Sequence, residues 1–253
     1  MNSSFSVKDK VCVITGAGKG FGREAALMYR DAGAKLALIS RNEQDINTLK
    51  DELDMPESRL LCDIGDVSNQ ITVTKFVMKT YRKFKEIDIL LNNAGMRFRK
   101  KFLATDYNDW TKVINNNLSS VFLMCQAVGR YMVSQQCGKI INVSSIVGTL
   151  GLSELSAYAA SKGAIISLSK SLAVEWAQYN INVNVIAPGF CETSYADKFK
   201  KNKKLYNFTL ERTPMKRWGN SKDFVNTSLF LSSDASNYIT GEIINVDGGW
   251  SAW

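Results

Sequence analysis

A phenol and an ammonium group stand four residues apart at Tyr158 and Lys162. On a helix that spacing places both side chains on one face, one turn apart. A cation beside a phenol favours phenolate and lowers the Tyr pKa from about 10 towards neutral pH, which makes the pair an acid/base device. Taken alone, the spacing also fits a half-buried Tyr next to a solvated Lys. The pair gains weight only if the chain supplies a cofactor, a pocket and helper groups. The sequence contains no histidine. This excludes Ser-His-Asp and Cys-His nucleophilic catalysis and His-ligated zinc, and no metal site is expected. Proton transfer falls to Tyr, Lys, Asp, Glu, Cys or water.

A second constellation lies near the start of the chain. Gly16, Gly18, Gly20 and Gly22, interleaved with Lys19 and Phe21, join an apolar run to a helical pattern. Glycines let the backbone approach a pyrophosphate, and the helix that follows offers free N–H groups and partial positive charge. The spacing Gly16-x-x-x-Gly20-x-Gly22 departs from Gly-x-Gly-x-x-Gly, and a tight turn without ligand is the alternative. Its place after a strand and before a helix favours a dinucleotide site. An NAD site places a carboxylate at the end of the second strand to hold the ribose 2′-OH. Here that position reads Ser40-Arg41-Asn42. Arg41 matches the geometry of a 2′-phosphate, Lys19 adds a second charge, and both point to NADP(H).

The elements that must position these groups alternate along the chain. Apolar runs over 10–15, 35–40, 59–62, 87–91, 139–143, 181–186 and 242–246 read as strands. Helical patterns cover 21–32, 42–54 with Asn42 as N-cap, 69–84, 107–133, 156–179 and 221–232. Continuous apolar strands separated by helices imply a parallel sheet covered on both faces, with ligands at the carboxyl ends of the strands. The predicted fold is α/β: a single-domain Rossmann, doubly wound parallel sheet of about seven strands with helices on both faces. The 253 residues hold only three prolines and no Gly/Ser-rich spacer, so residues 1–253 are read as one domain. Residues 189–215 show no strong period, and a substrate-loop insertion is placed at about 190–215.

Composition narrows the partners. Residues 1–10 lack the apolar core of a leader, and no apolar run approaches membrane-spanning length. The five cysteines are scattered without a Cys-x-x-Cys, as expected of reduced thiols, so the expectation is a cytoplasmic protein with no membrane partner. Half of the net charge of +8 lies in the lysine-rich stretch 197–204. No aromatic stacking platform or DNA-binding motif accompanies it, so it reads as a solvated helix face, and no nucleic-acid partner is expected.

Taken together, Thr15-Gly16-x-x-x-Gly20-x-Gly22, Asn92-Asn93-Ala94-Gly95, Ser145, Tyr158-x-x-x-Lys162 and Pro188-Gly189 resemble the short-chain dehydrogenase/reductase family from about Lys8 to Gly249. Within it the tail, from Arg217-Trp218-Gly219 to Asn245-Val246-Asp247-Gly248-Gly249, is similar to the β-ketoacyl-(acyl carrier protein) reductase branch. Many sugar, steroid and ketone reductases share that branch. The resemblance implies an NADP(H)-dependent oxidoreductase acting on a small carbonyl or alcohol substrate. Tyr158 would exchange the proton with the carbonyl oxygen, and Lys162 would hold the nicotinamide ribose. Ser145 would hydrogen-bond the carbonyl, with Ser144 its competitor. Asn117 would anchor a water, chosen over Asn115 and Asn116 by spacing. Asp63 and Ile64 would border the adenine. Asn92, Ala94 and Gly95 would line the adenosine ribose side, Asn92 also bonding at its strand end. Pro188, Gly189 and Thr193 would meet the nicotinamide.

The resemblance further implies a homotetramer. It places substrate choice in 97–105, 147–155 and 189–215, whose basic residues suit an acidic substrate or serve solubility alone. At the two positions where carrier-protein reductases commonly carry basic residues this chain has Gln136 and Tyr179. An acyl carrier protein partner is therefore not supported there. A regulatory protein that kept the nucleotide fold without catalysis is the reading from another class.

Overall fold

The computed structural model describes residues 3–192 and 199–252. Thr193, and with it Asp197 and Lys198 of the lysine-rich stretch, lies outside the described residues. Among those described, β1 (Val11–Thr15), β2 (Lys35–Ser40), β3 (Leu60–Ile64), β4 (Ile89–Asn92), β5 (Gly138–Val143), β6 (Ile181–Pro188) and β7 (Ile243–Val246) form one sheet. Its order is β3-β2-β1-β4-β5-β6-β7, and every pairing is parallel. The strand order reverses between β1 and β4, the switch point where such folds bind their ligands.

Helices α1 (Gly20–Asp31), α2 (Glu43–Leu53), α3 (Gln70–Phe84), α4 (Tyr107–Ile114), α5 (Ser120–Gln135), α6 (Ser156–Trp176), α7 (Lys203–Arg212) and α8 (Ser221–Ser232) connect the strands. Alternate residues of β1 face opposite ways. Cys12 and Ile14 pack with Tyr29 of α1, Leu49 of α2 and Phe224 of α8. Val11 and Val13 pack with Phe76 of α3, Met124 of α5 and Ile165 of α6. These two cores are why the central strands read as unbroken apolar runs: β1 and β4 are buried at every position. Asn42 caps α2 by accepting from the Asp45 amide at 2.9 Å, as the sequence predicts.

The single helix expected over 107–133 is interrupted. After α4 the backbone makes a π turn over Asn115–Ser119, with the Ser120 amide bonded to the Asn115 carbonyl, before α5 resumes. Three successive Asn residues, whose amides compete for local hydrogen bonds, coincide with this widened turn. β3 runs on to Ile64, held by its pairing with Ser40 of β2. The stretch without clear period contains α7, which exposes Lys203 and Lys204 and turns Leu205 and Thr209 inward. Both ends of this excursion are tied together. Glu192 N–H donates to the Gly219 carbonyl at 2.7 Å, and Gly219 N–H donates to the Phe190 carbonyl at 2.9 Å. No helix among the described residues is long and apolar enough to cross a membrane.

Candidate active site

Three adjoining cavities lie along the carboxyl ends of the strands. The first, about 360 Å³, is bordered by Gly16, Lys19, Ser40, Arg41, Asn42 and Asn93, with Ala94 and Gly95 beside them. The glycine turn is shaped by packing as well as by backbone freedom. A Cβ on Gly16, at φ +65°, would meet the Ala94 Cα at 2.9 Å, and one on Gly22 would meet the Gly16 carbonyl oxygen at 2.3 Å. Gly18 lets Ser40 and Asp45 come close, so its part is to seat α2. Gly20, at φ +54°, has nothing within 4 Å of its missing side chain. Helix α1 begins here without a side-chain cap, and so its first N–H groups are left for another acceptor. An uncapped helix start behind an open glycine cradle fits a pyrophosphate.

Several expected positions fall elsewhere. Asp63 pairs with Lys79 at 2.9 Å and Ile64 is exposed, and neither borders the cavity. Because β3 ends two residues later than expected, Gly65, Asp66 and Val67 occupy that place. Asn92 is buried, and its amide donates to Asn142 Oδ1 at 2.8 Å within the sheet. Its neighbour Asn93 borders the cavity. The absence of a carboxylate at the end of β2 holds along the chain but not in space. Asp45 lies 3.1 Å from Lys19 Nζ, and Asp66 lies 3.7 Å from the Arg41 guanidinium, which also donates to Asn116 Oδ1 at 2.9 Å. Asp45, Asp66 and Asn116 escape a linear reading because α2, the β3 end and the π turn bring them in from three directions.

The second cavity, about 270 Å³, collects Phe21, Ser145, Tyr158, Lys162, Pro188 and Gly189. Tyr158 and Lys162 sit on one face of α6, as their spacing requires. Ser145 and Tyr158 border the cavity together, and the Ser145 hydroxyl is among the groups that lower the Tyr158 phenol. The neighbouring Ser144 is buried and donates to the Lys162 carbonyl at 2.8 Å, which separates the two serines. Asn117, fully buried in the π turn, clamps Met96. It accepts from the Met96 amide at 2.7 Å, donates to the Met96 carbonyl at 3.0 Å, and also donates to Ser161 Oγ at 3.1 Å. Asn116 turns towards Arg41, and Asn115 accepts from Ser119.

The electrostatics differ from the simple phenol-ammonium pair. Lys162 donates to the Val143 carbonyl at 2.7 Å, and its Nζ is 5.8 Å from the Tyr158 ring centre. Burial pushes its pKa down to about 8. Burial raises the Tyr158 phenol, and the cation that opposes this is Arg97, assisted by the Ser145 hydrogen bond. The sequence offers Arg97 only as one of the basic residues of 97–105 that suit an acidic substrate, and nothing in its spacing ties it to Tyr158. The clamp on Met96 brings it in.

The third cavity, about 250 Å³, opens from the second past Ser145 and Tyr158. Its walls are Leu152, Leu155, Phe190, Phe199, Phe208 and Trp250, with Arg97 at its mouth. All three segments expected to govern substrate choice contribute. Trp250, 1% exposed, stacks near Phe190 with ring centres 4.8 Å apart, so it covers the chain's own core.

Comparison with known proteins gives this geometry a context. A family model described as enoyl-(acyl carrier protein) reductase matches residues 16–251. The chain is 36% identical to the 3-oxoacyl-(acyl-carrier-protein) reductase of Thermotoga maritima, over 96% of this chain and 98% of the relative. It is also 36% identical to the 2-dehydro-3-deoxy-D-gluconate 5-dehydrogenase of Bacillus subtilis, over 99% and 98%. The crystal structure of a gluconate 5-dehydrogenase from Burkholderia cenocepacia, in complex with NADP and tartrate, superposes with a TM-score of 0.92 at 32% identity, over 99% of this chain and 98% of that one. The chain belongs to the short-chain dehydrogenase/reductase family.

Proposed function

We propose that the protein catalyses NADP(H)-dependent hydride transfer between the nicotinamide and a ketone or secondary alcohol. The observation that carries this reading is the Ser145–Tyr158 pair, both residues bordering the cavity with Lys162 and the apolar chamber, placed where the glycine-cradled cleft opens into that chamber. The glycine cradle would hold the pyrophosphate, Arg41 and Lys19 the 2′-phosphate, and Pro188 and Gly189 the nicotinamide end. The dinucleotide, when bound, supplies the hydride. Hydride transfer to a ketone builds negative charge on oxygen, and Ser145 and Tyr158 aim O–H donors at it. Tyr158 then delivers its proton, or takes one up in oxidation. Lys162, with a pKa brought near 8, holds ribose hydroxyls and exchanges protons close to neutral pH. Asn117 keeps Met96 and the adjoining loop in place.

The substrate is left between the classes that the relatives' names span, an acyl group on a carrier protein and a sugar acid. Exposed Gln136 and core-packed Tyr179 leave the carrier-docking positions without positive charge. Of the described part of the basic stretch, Lys203 and Lys204 are exposed at the start of α7, and Lys200 pairs with Glu192 at 2.7 Å. We propose further that the chain assembles as a homotetramer through α5 and α6, where Phe122 and Val174 are 46% and 84% exposed. A panel of ketones assayed with NADPH and NADH is the test. Tyr158→Phe should lower kcat at least about 10³-fold while retaining NADPH binding, and Arg41→Ala should abolish the preference for NADPH. Cofactor binding with no turnover of any carbonyl or alcohol, and no change in Tyr158→Phe, would leave the non-catalytic regulatory reading standing instead.

A further inference from the structure

Resting on the hydride-transfer reading above, we propose that Arg97 binds a substrate carboxylate and that the substrate is a compact oxo or hydroxy acid with an apolar body. Four residues border both the cavity of the reaction centre and the chamber: Arg97, Ser145, Tyr158 and Gly189. A molecule whose carbonyl meets Ser145 and Tyr158, and whose body fills the chamber, passes Arg97 at the junction. The field of Arg97 reaches this centre, since its charge lowers both the Tyr158 phenol and the Cys191 thiol against the upward pull of burial.

The mount of Arg97 is firm on both sides. Asn117 grips Met96 through two hydrogen bonds, at 2.7 and 3.0 Å. Beyond it, Lys100 N–H donates to the Glu154 carbonyl at 2.9 Å, and Arg99 pairs with the Glu154 carboxylate at 2.7 Å. These bonds fix the backbone that carries Arg97, and a guanidinium matches a carboxylate with two parallel N–H donors.

The chamber decides the body. Its volume of about 250 Å³ falls below the roughly 300–1,000 Å³ of drug-sized pockets, so the body is compact. Its walls are mostly aromatic and aliphatic carbon. The Thr209 hydroxyl is already committed, donating to the Tyr206 carbonyl and accepting from the Trp218 indole. A polyhydroxylated chain would find Ser153 and the arginines but would lose water from most of its hydroxyls against the aromatic and aliphatic walls.

The test compares 2-oxo-4-phenylbutanoate, its methyl ester and 5-oxo-gluconate, each with NADPH, in wild type, Arg97→Gln and Arg97→Lys. In wild type the aryl oxo acid should exceed its ester in kcat/KM by about 10–100-fold, the worth of a charge-assisted hydrogen bond. Arg97→Gln should bring that ratio close to one, chiefly through KM, and shift the pH profile of kcat/KM to higher pH. Arg97→Lys should restore part of the ratio. Equal turnover of acid and ester in wild type, or an unchanged ratio in Arg97→Gln, overturns the carboxylate assignment. Faster turnover of 5-oxo-gluconate than of the aryl oxo acid overturns the apolar body. Failure to turn over any carbonyl, neutral ketones included, strikes the hydride-transfer reading itself.

Discussion

Burial at the reaction centre pushes both titrating side chains towards their neutral forms. It lowers Lys162 to about 8 and raises Tyr158. An unfolded Lys titrates near 10.4. Between about pH 8 and 10 the unfolded chain therefore binds the additional proton, and the Lys162 contribution to stability rises with pH across that window. Below pH 8 the folded protein carries the cost of a buried ammonium. Buried Cys12 and Cys125 and half-buried Cys62 act in the opposite sense, because their raised pKa values make stability fall once unfolded thiols ionise. The informative measurement is the difference between wild type and Lys162→Met in urea unfolding. Stability lost by wild type relative to the variant should shrink from pH 7.5 to 10. A difference flat in pH would mean that Lys162 titrates at its ordinary value in the fold.

Among the elements, the π turn is the one whose disruption should be felt furthest away. Asn117 reaches Met96 only because Asn115–Ser119 widens between α4 and α5. Asn117→Ala leaves an N–H and a carbonyl of Met96 without these partners, which costs about 2–6 kcal/mol at about 1–3 per group. The change should appear as a lower urea midpoint and as a larger loss of kcat than of NADPH affinity. A stability change under about 0.5 kcal/mol would show that water replaces the clamp.

This element also marks where the sequence stops being readable. The alternation of apolar strands and helices yields the sheet and its two covered faces, because both faces of β1 and β4 are buried. The glycine turn and the Tyr158–Lys162 pair are local, and local spacing is legible. The π turn is not, since hydrophobic period alone does not register one extra residue in a helical turn. The C-terminal end of β3 depends on pairing with β2, so the residues bordering the first cavity are Gly65, Asp66 and Val67 and not Asp63 and Ile64. The pairing of Asp45 with Lys19, the turn of Asn116 towards Arg41 and the approach of Arg97 to Tyr158 depend on contacts between distant segments, for which a single sequence holds no sign.

On the scale of the whole molecule, the outer faces of α5 and α6 present apolar groups to solvent. Phe122 and Val174, with Tyr107 of α4 and Leu103 before it also exposed, give a surface that a monomer has no reason to keep apolar. Sedimentation velocity at micromolar concentration should return a species of about four chains. Val174→Glu with Phe122→Glu should shift it to smaller species while leaving the fold's circular dichroism intact. A wild-type monomer across that range would count against the proposed assembly.

The pairing of Phe190 and Glu192 with Gly219 has a consequence for how such a protein diversifies. The excursion that carries Phe199, α7 and most of the chamber's far wall leaves the sheet and returns to it at almost one point. Its two splice sites are neighbours, so a stretch of different length or composition can be exchanged there without altering strand register, the glycine turn or the proton-handling residues. Lineages that inherit the same hydride chemistry can thus acquire new substrates by replacing one cassette, and a graft of residues 190–219 from a relative is the engineering counterpart of that history.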